Sequence, residues 1–190
     1  MAKATLNSVV GGISGKSGGF VFRQLGGETF ISQAANARPG KASRAQQAQR
    51  DRFKEATWYA KRVLADPCQL EAYQALGKQL NRRADKLVTG DFLTPPVVDR
   101  IDVSNYQGGA GGVIRILATD DIEVVSVDVT VQAAGDLLIE GGPAAKVHGV
   151  WCYTATTSVP AGAALTITAT AKDRPGNIAS GQELAVSTGH

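Results

Sequence analysis

The chain has 190 residues, enough for one substantial core or two small ones, and its 43% hydrophobic content excludes wholesale disorder. Only two cysteines and two histidines occur, which excludes a disulfide framework and leaves little for acid–base catalysis. The net charge of +3 hides an asymmetry: residues 1–100 hold 16 Lys+Arg against 8 Asp+Glu, and residues 101–190 hold 4 against 9. Basic and acidic halves imply structural units with different neighbours, or a chain that stacks head to tail with its own copies.

The opening stretch, MAKATLNSVVGGISGKSGG, is glycine-rich and lacks the continuous apolar core of a secretory signal. No segment approaches the ~20 apolar residues of a membrane span. The expected location is cytoplasmic, virion-associated, or outside the cell by a signal-independent route.

Residues 1–42 read as an arm. Phe20–Leu25 and Glu28–Ser32 are β-prone runs on either side of Gly26-Gly27, and two glycines supply the positive φ of a tight turn. An isolated hairpin is marginal in water, so this arm needs a partner surface on its own chain or another copy. Gln33–Gly40 follows neither the helical nor the strand period and reads as an extended connector.

Residues 43–88 read as an antiparallel helical hairpin. Ser43 with Gln46 makes a capping-box start, and Ala45, Phe53, Ala56, Ala60, Val63 and Leu64 fall on one stripe. Asp66-Pro67 stops that helix and starts the next, with Asp66 as N-cap and Pro67 at the first helical position. Leu70, Tyr73, Leu76, Leu80, Ala84 and Leu87 then recur at spacings of three and four. Opposite the first stripe lie Arg50, Lys54 and Lys61, with Trp58 beside them. A tryptophan away from the core stripe marks a contact surface, either for a neighbouring subunit or for the chain's own arm or sandwich.

Residues 89–96 read as a linker ended by Pro95-Pro96, and 97–190 as about seven short strands. They are Val97–Val103, Val113–Ala118, Glu123–Val131, Leu137–Glu140, Val150–Ala155, Leu165–Ala171 and Glu183–Ser187. Val125, Val127, Val129 and Val131 are expected to share one face, and Trp151 to enter the core. The pattern predicts an immunoglobulin-like β-sandwich, so the fold class is α+β: hairpin arm, helical hairpin, sandwich.

The run Thr166 to Asn177 resembles the closing strand and turn of bacterial immunoglobulin-like repeats, which end on A-T-A-x-D-x-x-G-N. That resemblance implies a fold and no activity, since such modules serve as spacers, stalks and virion appendages. Gly11 to Gly18, with Gln46, Ala48, Gln49, Arg50 and Phe53, resembles a family of short, functionally uncharacterised bacterial proteins. It implies a reusable module.

Catalytic motifs are absent, so no enzyme and no cofactor is expected. Gly15-Lys16-Ser17 resembles the end of a phosphate loop, but a strand rather than a helix follows. His148 and Cys152, if both on one strand, stand roughly 13 Å apart, too far to share a proton. Asp120, Asp121, Glu123, Asp173 and Asn177 offer oxygens for Ca²⁺ or serve as ordinary turn residues. Cys68 and Cys152 read as free thiols.

The leading expectation is a self-assembling structural subunit of a filament, fibre or virion-like assembly, with the arm pairing with a neighbouring copy. Its interface residues would be Phe20, Phe22, Phe30, Ile31, Trp58, Arg50, Lys54 and Lys61. The alternatives are a nucleic-acid-associated protein using the basic helices, with Arg82, Arg83 and Lys86, and an adhesin-type binding module.

Overall fold

At Gly26-Gly27 the backbone turns through φ of +60° and +80°, a left-handed pair that side-chain-bearing residues resist. Strand β3 (Phe20–Leu25) thereby folds back onto β4 (Glu28–Gln33), with Leu25 opposite Glu28 and Phe20 opposite Gln33. β2 (Gly15–Ser17) and β1 (Ala2–Lys3) add on either side, giving an antiparallel sheet of order β1-β4-β3-β2. The computed structural model describes residues 2–3, 14–35 and 41–188. Residues 11–13 of the Gly11–Gly18 resemblance and residues 36–40 of the expected connector lie outside them.

The chain divides into two compact units, residues 1–43 and 44–190. In the second, α1 (Arg44–Val63) begins one residue after Ser43, and α2 (Pro67–Leu80) begins after Asp66. The Asp66 carboxylate accepts from the Cys68 amide at 2.9 Å, the N-cap expected of Asp-Pro. The helical segment holds three helices, where periodicity alone suggests two. Asn81 takes the left-handed conformation (φ +51°), the Arg82 amide donates to the Gly77 carbonyl, and a new helix, α3, runs Ala84–Leu93. A Cβ at Gly77 would sit 2.5 Å from the Arg82 carbonyl oxygen, so this tight corner requires glycine.

The stretch read as a linker from residue 89 is therefore helical as far as Leu93, and α1 packs chiefly on α3. Tyr59 meets Phe92 with ring centroids 5.2 Å apart, and the Arg52 guanidinium donates to the Leu93 carbonyl at 3.1 Å. Ala60, Tyr73, Leu87 and Val88 form the buried centre of the helices. Ala45 and Phe53, expected on the buried stripe, are exposed.

The sandwich has eight strands, β5 (Val97–Asn105), β6 (Val113–Thr119), β7 (Val124–Ala133), β8 (Leu137–Pro143), β9 (Ala145–Val147), β10 (Val150–Thr154), β11 (Ala164–Asp173) and β12 (Ile178–Val186). One sheet runs β5-β6-β10-β9 and the other β12-β11-β7-β8. Those orders correspond to strands ABED against GFCC′, the immunoglobulin-like arrangement. The expected strands match seven of the eight. β9, three residues long, is too short to show a period.

Alternation drives the core. Val127, Val129 and Val131 of β7 and Leu165, Ile167, Ala169 and Ala171 of β11 are each almost fully buried, with Ile114, Ile116 and Trp151 from the facing sheet. Val125 departs from the expected face. The β7–β11 register shifts at Lys172/Asp173, so Val124 turns inward and Val125 is 51% exposed. One inserted residue reverses which side chains point to the core. His148 is likewise not on a strand. With Gly149 it forms the two-residue turn between β9 and β10, at φ of +49° and +87°.

Candidate functional site

The arm sheet differs from an ordinary half-buried sheet. By register, Phe20, Phe22, Gln24, Thr29, Ile31 and Gln33 share one face of the β3–β4 hairpin, and Val21, Arg23, Leu25, Glu28, Phe30 and Ser32 share the other. Apolar residues thus stand on both faces. Of the arm residues whose burial is described, Thr29 alone is buried, and Phe20 and Leu25 are 55% and 73% exposed. Among the expected interface residues, Phe20, Phe22 and Ile31 are brought to one face, while Phe30 falls on the opposite one.

The expected helical surface is laid out along α1. Trp58 is 64% exposed, and Arg50, Lys54 and Lys61 are exposed on the same helix. The Arg62 guanidinium lies 5.0 Å from the Trp58 ring centroid and 5.8 Å from that of Tyr59, a cation–π stack. Lys54 is held by Asp51 at 3.2 Å.

The best-built polar cluster joins the helices to the sandwich. After β11, Asp173 accepts from the Gly176 and Asn177 amides at 2.8 and 2.6 Å, closing the turn that the D-x-x-G-N pattern marks. The Asn177 side-chain amide then donates to the Asp91 and Phe92 carbonyls at 3.3 and 3.2 Å, and to the second Asp173 oxygen at 2.7 Å. Those two carbonyls belong to the last turn of α3 and have no intrahelical donor. The turn of the sandwich therefore finishes the helix.

Asp91 itself is 1% exposed. One carboxylate oxygen accepts from the Tyr73 hydroxyl at 3.0 Å, and the other has no partner. Burial, reinforced by the Asp120 and Asp173 carboxylates, pushes its pKa up to about 6. Burial and the neighbouring Asp91 hold the Tyr73 hydroxyl above its ordinary range. Arg174 is committed elsewhere, to Glu123 at 2.9 and 2.6 Å, and its guanidinium lies 5.7 Å from the Tyr73 ring centroid.

Beside this junction a cleft of about 830 Å³ opens between the helices, at Tyr59, Arg62 and Tyr73, and the sandwich, at Val125, Lys172 and Arg174. Its lining contains no His or Cys. Of the acidic residues weighed for Ca²⁺, three make other bonds: Asp120 accepts from the Ile122 and Glu123 amides, Glu123 binds Arg174, and Asp173 closes its turn. Among the described residues no three His, Cys, Asp or Glu are grouped to hold a metal ion. Cys68 is exposed on α2 and Cys152 half-buried on β10, both free.

Asp91 was detectable in principle, because a carboxylate at the Leu87+4 position breaks an apolar helical stripe. The two prolines that follow disguise that helix as linker.

No protein-family model matches the chain, and no curated protein does. Among solved structures, CopC from Methylosinus trichosporium OB3b aligns with 51% of this chain and 95% of its own, at 11% identity and TM-score 0.38. A bromine derivative of BhCBM56 aligns with 42% of this chain and 85% of its own, at 16% identity and TM-score 0.31. The strand order, rather than these distant likenesses, makes the second unit an immunoglobulin-like β-sandwich carrying three helices. Among the described residues no helix is long and apolar enough to cross a membrane.

Proposed function

We propose that this chain is a non-enzymatic structural subunit that assembles with copies of itself, its N-terminal arm covering part of a neighbour. The observation that carries this reading is the arm sheet, whose β2–β4 residues bury one threonine while exposing phenylalanine and leucine. A single sheet layer cannot shield both of its faces, and stability requires a second layer. Electron microscopy of negatively stained full-length protein, beside a chain beginning at Ser43, tests it. Fibres or particles from the full chain alone are expected. Dispersed monomers from both would overturn the reading.

Nucleic acid is the second partner class, supported by the exposed Arg50, Lys54, Lys61, Arg82 and Lys86. That alternative predicts binding that weakens steeply with salt and survives removal of the arm.

A further inference from the structure

The two faces of the arm hairpin are chemically unequal. On the Phe20 face, β3 and β4 present Phe20, Phe22, Gln24, Thr29, Ile31 and Gln33, and β2 adds Gly15 and Ser17. None of these is charged. The opposite face carries Lys16, Arg23 and Glu28. A face with three large apolar side chains and no charge is the one whose docking needs no buried ion.

A matching surface stands on the sandwich. The outward rows of the β12-β11-β7-β8 sheet include Leu184, Thr166, Gln132 and Leu138 side by side, followed by Gln182, Thr168 and Thr130. These rows are uncharged, and charge enters this face further along the strands, at Asp128 and Lys172. Leu184 is 75% exposed, Val186 63% and Leu138 60%. On the arm face Phe20 is 55% exposed, Phe22 and Ile31 are half-buried and Thr29 is buried, while on the sheet face Leu184, Val186 and Leu138 stand exposed.

Charge chooses between this sheet and the exposed Trp58 and Phe53 on α1, and the outer face of the other sheet, where Leu117 is exposed, carries Arg100, Asp102 and Arg115 beside it. Residues 1–43 hold five Lys+Arg and one Glu, for +4 (5 − 1). Residues 44–93 hold ten Lys+Arg against six Asp+Glu, also +4 (10 − 6). Residues 97–190 hold five against ten, for −5 (5 − 10). A basic arm is repelled by the basic helices and attracted to the acidic sandwich.

Building on the self-assembly reading, we propose that the Phe20–Phe22–Ile31 face of the arm docks on the outer face of the β12-β11-β7-β8 sheet of a second copy. The contact is heterologous, because the patch on one copy differs from the patch on the next. Each subunit then keeps one free arm and one free sheet, so unless the rotation closes a ring the chain grows.

Two single-site variants of the full chain test this, Phe20→Glu on the arm and Leu184→Glu on the sheet, with Leu138→Glu as a second sheet variant. All three positions are solvent-exposed in a single chain, so folding is retained, and circular dichroism verifies it. In sedimentation velocity the unsubstituted chain is expected to form a ladder of oligomers. Each variant alone should associate roughly thirtyfold more weakly or worse, the effect of losing a central anchor. A 1:1 mixture of F20E and L184E should form dimers and stop there, since the pair retains one intact arm and one intact sheet. Raising the salt should weaken association of the unsubstituted chain. If F20E abolishes assembly while both sheet variants assemble normally, the arm docks elsewhere and this inference fails, although self-assembly stands. If the unsubstituted chain stays monomeric at every concentration, both fall.

Discussion

The arm and the sandwich are both antiparallel sheets closed by glycine turns, yet they stand at opposite ends of burial. From Val127 to Val131 in β7 and from Leu165 to Ala171 in β11 every second residue is apolar and enters a shared core, and the intervening threonines and aspartate face outward. In β3 and β4 the apolar residues are divided between two faces, so no single packing layer can cover them all. Alternation within one strand is a local property, whereas a core requires two sheets whose apolar faces meet. The lesson is that strand propensity and strand pairing suffice for a sheet, and that sheet can still depend on another body for its stability.

The contrast predicts where substitutions act. Ile167→Ala in the sandwich removes a fully buried side chain between two sheets and should lower unfolding free energy by about 3–4 kcal/mol. Phe22→Ala in the arm should leave the urea midpoint of the second unit unchanged and weaken only association. Equal losses from the two would break the comparison.

The helix–sandwich junction sharpens it next. Asp91 has its pKa raised in the folded state to about 6, from an ordinary value near 3.8. The folded chain therefore holds this proton more tightly than the unfolded chain does. The resulting destabilisation is absent below about pH 4, grows as pH rises towards 6 and is fully present above it. Asp91→Asn should accordingly match the parent near pH 4 and exceed its stability by about 2–3 kcal/mol at pH 7.5. Urea unfolding at the two pH values measures the difference. A variant less stable than the parent at both would show that the carboxylate is worth more to Tyr73 than its burial costs.

The smallest effect belongs to the arm turn. Gly27→Ala places a Cβ at φ +80° and should destabilise the hairpin by about 1 kcal/mol. Unfolding of the sandwich should not change, and sedimentation should report a proportionate loss of association.

Much of this architecture is written in local sequence. The Gly-Gly turn with its two β-prone runs, the Asp66-Pro67 helix start and seven strands of period two each follow from conformational preferences within a dozen residues. Trp151 reached the core as its strand position implies. The A-T-A-x-D-x-x-G-N stretch announced a strand and turn, but nothing in it showed that Asn177 would finish a helix 85 residues earlier in the chain.

What tertiary structure alone decided is of three kinds. The third helix forms because Gly77 lets the Arg82 backbone approach and Asn81 accepts a left-handed conformation, and continuous apolar spacing across that corner conceals the break. Val125 leaves the core because a bulge belongs to a pair of strands, so one strand's alternation does not reveal it. The buried Asp91–Tyr73 pair arises where α2, α3 and the turn after β11 converge, and its raised pKa is a property of that enclosure rather than of any one segment. By itself the sequence determined the arm hairpin, the Asp66-Pro67 helix start and seven strands of the sandwich. Folding decided which faces found a partner, because burial depends on residues far apart in the chain.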